Sequence, residues 1–317
     1  MAKTPVWMDV DTGLDDAMAL LLLSACEDIE LLGISTVFGN QSVERTAVNT
    51  LKICELMGID VSVAAGASKG ILEEQIDYSK PLALDVHGQD GLGNIGNTLP
   101  EPNKKLSDLC AVDLMAEKIR NCPDKVTIVA TAPLTNIATF ILTYPDLTDR
   151  IEKILFMGGA VFGGNIKPSV EANMGHDPEA AYIVISSDIP KVMFGLDATM
   201  MCPMNDQERF AMRDNGGKVG AFLCDALQHY SKLYQDLAGL PGAVLHDSLP
   251  MAYLIDPSVV EIKEFPVEVE LSNGITKGCT VTDTWYRSGK ENNLKVAMSA
   301  DREKLIKMHL DAVKRYA

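Results

Sequence analysis

Four aspartates fall within residues 9–16, in the order Asp9-Val10-Asp11-Thr12-Gly13-Leu14-Asp15-Asp16, directly behind the apolar run at 5–8. No other stretch constrains the fold as much. Residues 5–10 read as a buried strand, and Asp15 onward reads as a helix, so the acids sit on a strand-to-helix turn. Gly13 lets the chain turn sharply, and acids in a first helical turn meet the positive end of the helix dipole. Four carboxylates crowded in a poorly hydrated site repel one another by roughly several kcal/mol unless a cation neutralises them. Oxygen-only donors point to a hard metal, Ca²⁺ or Mg²⁺. The plain alternative is that Asp15 and Asp16 cap a helix while Asp9 and Asp11 are solvated loop acids.

The formal charge of −16 argues against nucleic-acid polymers and anionic membranes as partners, because both would be repelled. A small neutral substrate is compatible with it. The cysteines (26, 54, 110, 122, 202, 224, 279) are scattered, odd in number and without a CxxC pair, as expected of reduced thiols in a cytoplasmic protein. Residues 1–5 run straight into a strand without a signal-peptide layout. The longest apolar run, 17–25, is too short to cross a bilayer.

Strands and helices alternate along the chain. The pattern predicts strands at 31–37, 61–64, 126–130, 151–157 and 192–196. Helices are predicted at 42–57, 108–121, 134–142, from Asp177-Pro178-Glu179 onward, and over most of 205–237. Asp177 is an N-cap with proline at the first helical position. The stretch 65–106 is irregular, which in a compact domain usually marks function. Residues 267–271 alternate and Ser272-Asn273-Gly274 is a hairpin signal, while a helix from Asp301 closes the chain. The expected fold is α/β: a Rossmann-like, mainly parallel sheet with helices on both faces, plus a C-terminal antiparallel hairpin. No repeat, low-complexity segment or linker interrupts it, so residues 1–317 read as a single domain.

In such sheets ligands bind beyond the carboxyl ends of the strands. Polar residues gather there: Asp11 to Asp16 after the first strand, Asn40 after the second, Thr131 after 126–130, and Asn165, Glu171 and Asn173 after 151–157. His246-Asp247 arrives later. Taken singly, each has a structural role available to it. Asn40 could cap a helix, Thr131 and Asn165 could be turn residues, and His246 could be a satisfied half-buried histidine. Two motifs lack their context. Gly91-Leu92-Gly93-Asn94-Ile95-Gly96 spells GxGxxG but follows a loop and precedes no helix. Residues 9–13 resemble the start of an EF-hand, but glycine is fifth instead of sixth and the twelfth residue is Leu20.

The whole set resembles the nucleoside hydrolases of the inosine-uridine preferring type. The motifs are DVDTGLDD at 9–16, TVFGN at 36–40, VHGQDGLG at 86–93, TAPLTNIA at 131–138, MGGA at 157–160, the spaced Asn165, Glu171 and Asn173, DPEAA at 177–181, and HD at 246–247. The resemblance implies hydrolysis of the N-glycosidic bond of ribonucleosides to free base and ribose, with tightly bound Ca²⁺. By resemblance, Asp11, Asp16, Asp247 and the Thr131 carbonyl ligate calcium, and Asp11 is general base toward a metal-bound water. Asp15 and Asn173 would hold the ribose 2′-hydroxyl, with Asp247 near the 3′-hydroxyl. Met157, Asn165 and Glu171 would line the pocket toward the 5′-hydroxyl, and Asn40 would orient the site near the water. His87, Tyr230, Tyr234 and His246 would face the base, with His246 as the leaving-group acid. Tyr230 and Tyr234 lie four apart on one helix face, where plain core packing competes with a site role. A homodimer or homotetramer is also implied. Two rivals share parts of the pattern. A haloacid-dehalogenase-type phosphatase shares Asp-x-Asp-x, but Gly13 takes the Thr/Val place. A non-catalytic calcium-binding module would not need His246, Glu171, Asn165 and Asn173 in pocket-like loops.

Overall fold

A computed structural model describes residues 3–73, 76 and 86–317. The irregular stretch 65–106 therefore lies partly outside the described residues. The N-terminal part comprises β1 (Thr4–Val10), α1 (Leu14–Ala25), β2 (Ile29–Thr36), α2 (Val43–Met57) and β3 (Val63–Ala65). The alternation continues through α3 (Ala111–Asn121), β4 (Val126–Ala130), α4 (Thr135–Thr143) and β5 (Ile151–Met157). Next come α5 (Ala172–His176), α6 (Pro178–Ser186), β6 (Lys191–Phe194) and α7 (Leu196–Thr199). The third quarter holds β7 (Pro203–Asn205), α8 (Asp206–Asn215), α9 (Gly217–Ala238), β8 (Gly242–Val244) and α10 (Ser248–Ile255). The chain closes with β9 (Val260–Phe265), β10 (Val267–Val269), β11 (Thr280–Thr282), β12 (Leu294–Ala300) and α11 (Arg302–Val313).

Eight strands form the central sheet in the order β3-β2-β1-β4-β5-β6-β12-β9. Neighbours are parallel except β9, which runs antiparallel to β12 at one edge. Strand alternation divides the core. Val6, Met8 and Val10 of β1 pack into a layer with residues of α1, α2, α9, α10 and α11, whereas Trp7 joins the layer built on α3, α4 and α6. Both faces are covered, which is why the central strands are apolar throughout. The strand order reverses between β1 and β4, and that switch point opens a crevice at their carboxyl ends. No helix among the described residues is long and apolar enough to cross a membrane.

The structure adds strands that the sequence reading did not name, β7, β8, β9 and β12. Strand β9 is not among the expected elements; its half-exposed, charged pattern Val-Glu-Ile-Lys-Glu-Phe suits an edge strand. The antiparallel pair β10–β11 exists, but Ser272-Asn273-Gly274 does not form a two-residue turn between its strands. The connection spans 270–279 and is tied by Gly278 N donating to Glu270 O (2.8 Å) and Lys277 N to Gly274 O (3.2 Å).

Candidate active site

A cavity of about 460 Å³ opens at the switch point, a size suited to a small organic ligand. Every residue given a site role above lines it except Asp16, which lies fully buried just beneath. The solvated-acid alternative fails: Asp9, Asp11, Asp15 and Asp16 are 0, 2, 4 and 0 % exposed.

Strand β1 delivers Asp11, and the first turn of α1 delivers Asp15 and Asp16. Asp16 does cap its helix, since its Oδ2 accepts Gly13 N at 2.8 Å. Its other oxygen accepts the Thr131 hydroxyl at 2.6 Å, which joins the ends of β1 and β4. Asn40 caps nothing. Its backbone N donates to Asp11 Oδ2 (2.7 Å) and its Nδ2 to Asp11 Oδ1 (3.1 Å), so it fixes the Asp11 carboxylate. This contact requires Gly39, at φ 154°, because a Cβ there would collide with Asp11. Asp247 enters from the N-terminal end of α10, and one oxygen each of Asp15, Asp16 and Asp247 lie within 4.8 Å of one another. Asp11 stands beside this trio and not within it.

Burial, more than anything else, raises these carboxyls. Asp15 is pushed up to about 7 and Asp16 to about 6, while Asp11 and Asp247 are held well above the carboxylate range. Repulsion among the four adds to burial for Asp11, Asp15 and Asp247. Asp15 Oδ1 is buried with no hydrogen-bond partner among the described residues. A converging, under-partnered, all-oxygen donor set fits a hard divalent cation. The Thr131 carbonyl accepts Asn173 Nδ2 at 3.1 Å and keeps a second lone pair.

One wall comes from β5 and the segment after it. Asn173 Nδ2 also donates to Met157 O (3.0 Å). Glu171 caps α5 and accepts Gly159 N (2.9 Å), Asn173 N (3.0 Å) and Met174 N (3.2 Å). Desolvation still lifts its pKa to about 7. Asn165 Oδ1 accepts Ala172 N at 2.9 Å, so its amide nitrogen is the group that could donate to a ligand.

The opposite wall is aromatic. Tyr230 is 1 % exposed, so it does pack in the core, yet its hydroxyl lies 3.3 Å from Asp15 Oδ2. Its ring stacks on His87 at 5.3 Å and meets Tyr234 edge-on at 5.0 Å. His87 Nδ1 is 3.8 Å from Asp15 Oδ1 but accepts Leu14 N at 3.1 Å. Burial, then the nearby His246 and His229, lower its pKa to about 3, so the pair is not ionic. His246 Nε2 meets the Tyr234 hydroxyl at 2.7 Å and Nδ1 meets Thr199 Oγ1 at 2.7 Å. Burial lowers His246 to about 4, so the ring is neutral at pH 7.

Sequence reasoning missed several lining residues. Leu233 and Leu237 share the α9 stripe with Tyr230 and Tyr234, a spacing readable in the sequence. His176 follows Asn173 by three residues, also a readable spacing. Thr199, buried behind the lining and held to His246, had no signal, since it meets His246 only through the fold.

A family model described as inosine-uridine preferring nucleoside hydrolase matches residues 6–307. The chain belongs to that family. It is therefore an enzyme, a hydrolase acting on N-glycosyl compounds. Among its relatives, a pyrimidine-specific ribonucleoside hydrolase RihA of Escherichia coli (strain K12) is 36% identical over 315 residues, covering 99% of both chains. A purine-preferring ribonucleoside hydrolase from Gardnerella vaginalis superposes with a TM-score of 0.91 at 31% identity, covering 99% of both chains. The plant nucleoside hydrolase PpNRh1 superposes with a TM-score of 0.88 at 28% identity, covering 98% of this chain and 99% of that one.

Proposed function

We propose that this chain hydrolyses ribonucleosides of the inosine, uridine and cytidine class to free base and ribose, with calcium as cofactor. The observation that carries this reading is the convergence of buried Asp15, Asp16 and Asp247 on the cavity floor, with Asp11 locked beside them by Asn40. Asp11, Asp16, Asp247 and the Thr131 carbonyl would hold the ion. When bound, Ca²⁺ would neutralise the cluster and lower the pKa of a water.

The protein groups divide the remaining work. Asp11, oriented by two Asn40 donors, takes the proton of the attacking water. Asp15 and Asn173 hold the 2′-hydroxyl, Asp247 the 3′-hydroxyl, and Met157, Asn165 and Glu171 enclose the 5′ side. Anionic oxygens around the sugar favour an oxocarbenium-like transition state over the ground state. The base lies among His87, Tyr230, Tyr234 and His246. As the C1′–N bond breaks, the departing nitrogen would take a proton from His246, a proton that the ring, neutral at rest, first takes up from solvent with the Tyr234 hydroxyl beside it.

Relatives named pyrimidine-specific and purine-preferring are both similar to this chain, which supports a reading that spans both base types. The cysteines are all unpaired, which supports a reducing, cytoplasmic setting. One sheet built from residues 4–300 supports treating 1–317 as one domain. Exposed Val281 (51 %) on β11 and Trp285 (77 %) just after it are compatible with the homodimer or homotetramer, which light scattering would measure.

Chromatography of free base from inosine, uridine and cytidine, run beside a phosphate-release assay, tests the reading. Base and ribose should appear in equal amounts from at least one nucleoside. Release of phosphate from phosphomonoesters without base release would overturn it.

A further inference from the structure

One titratable side chain of the cavity has no role in this scheme. His176 ends α5 three residues after Asn173, so the two share a helix face. Asn173 uses that face to reach the Thr131 and Met157 carbonyls. The His176 ring lies 6.3 Å, centroid to centroid, from Phe38, which precedes Gly39 and Asn40 at the Asp11 carboxylate. Its Nδ1 is buried with no hydrogen-bond partner among the described residues, yet the ring borders the cavity. The cavity therefore meets the far edge of the ring, which carries Nε2. Burial lowers the ring's pKa to about 4, so it is neutral at pH 7 and holds one proton. An orphaned buried N–H is rarer and costlier than an unmet lone pair. The proton belongs on Nε2, and the ring offers the cavity a hydrogen-bond donor without charge.

We propose that His176 is a further substrate-positioning residue that donates from Nε2 to a hydroxyl oxygen of the sugar. The surrounding chemistry calls for such a donor. The sugar side is dominated by acceptors, namely the Asp15, Glu171 and Asp247 carboxylates, which take hydroxyl protons. A hydroxyl that has given its proton still has two lone pairs to satisfy. The Asn173 amide hydrogens are engaged by two carbonyls, so few other side-chain donors remain on that wall.

The proposal rests on the ribonucleoside reading, and product inhibition separates the two. D-Ribose and hypoxanthine serve as inhibitors of inosine hydrolysis in wild type, His176→Val and His176→Gln. His176→Val should weaken ribose inhibition and raise KM by about 3–10-fold, the worth of one neutral hydrogen bond. Inhibition by hypoxanthine should stay unchanged. His176→Gln, whose amide can reach the place of Nε2, should recover most of the loss. With 2′-, 3′- and 5′-deoxynucleosides, the analogue that lacks the partner hydroxyl should show no difference between wild type and His176→Val. Unchanged ribose inhibition in His176→Val would overturn the proposal. So would equal weakening of ribose and hypoxanthine without recovery in His176→Gln, which marks a packing role. A wild-type enzyme that releases no base and ignores ribose would instead sink the ribonucleoside reading.

Discussion

At the scale of single residues, Asp11 is the sharpest point of commitment. Asn40 donors occupy both its oxygens, so it is aimed rather than free to rotate. Asp11→Asn should cut kcat by at least about 10²-fold with a smaller change in KM, because other groups hold the sugar. Turnover within about tenfold of wild type would give the base role to another residue. His246 is tested by the leaving group. His246→Ala should slow inosine or uridine hydrolysis by about 10²–10⁴-fold. The same change should hardly affect p-nitrophenyl riboside, whose phenolate leaves without a proton. Equal losses on both substrates would assign His246 to structure. The Asp cluster was legible because acids crowded into one strand-to-helix turn repel each other unless a cation or a proton intervenes. Thr199 and the Tyr234–His246 contact were not, because the fold alone brings residues 199, 234 and 246 together.

At the scale of elements, periodicity located the strands that carry the site. β4 and β5 fall on the residues expected, and Asp177 caps α6 through Ala180 N at 3.1 Å. β9 escaped because an edge strand needs only one apolar face, and its alternation is weak in charged residues. α11 has its own pH signature. His309 is fully buried, with Nδ1 at 2.9 Å from Leu305 O and Nε2 at 2.9 Å from Ser248 Oγ, next to Asp247. Burial lowers its pKa from 6.5 to about 4. The unfolded chain therefore binds the extra proton first, and stability falls as pH drops from about 6.5 to about 4. The difference amounts to about 3 kcal/mol at full extent. In denaturant titrations, His309→Leu should lose stability less steeply than wild type across that window. Identical slopes would show that the ring does not contribute.

At the scale of the whole molecule, the alternation of elements made the α/β class readable, but not the strand order. No local signal says that β12 returns to lie between β6 and β9. Metal binding should act at this scale too, because the ion would join the loop after β1 to the end of β4 and the start of α10. Exhaustive chelation should lower Tm by roughly 4 °C and abolish turnover, the order expected when a ligand at about 100 times its Kd is withdrawn. Added Ca²⁺ should restore both, and elemental analysis should find about one Ca²⁺ per chain, with oxygens at about 2.3–2.6 Å. Full activity after chelation, or zinc in the purified protein, would refute this.

The wide separation of Asp16 and Asp247 along the chain also has a consequence for the ribosome. At about 5–20 residues per second, roughly 10–50 s pass between the synthesis of the two. Throughout that interval the nascent chain carries its acidic turn without the carboxylate that completes the trio. A ribosome that stalls before codon 247 would release a polypeptide with most of the sheet and no finished catalytic centre. Quality control would meet an inert fragment, not a leaky enzyme that consumes the cell's nucleosides.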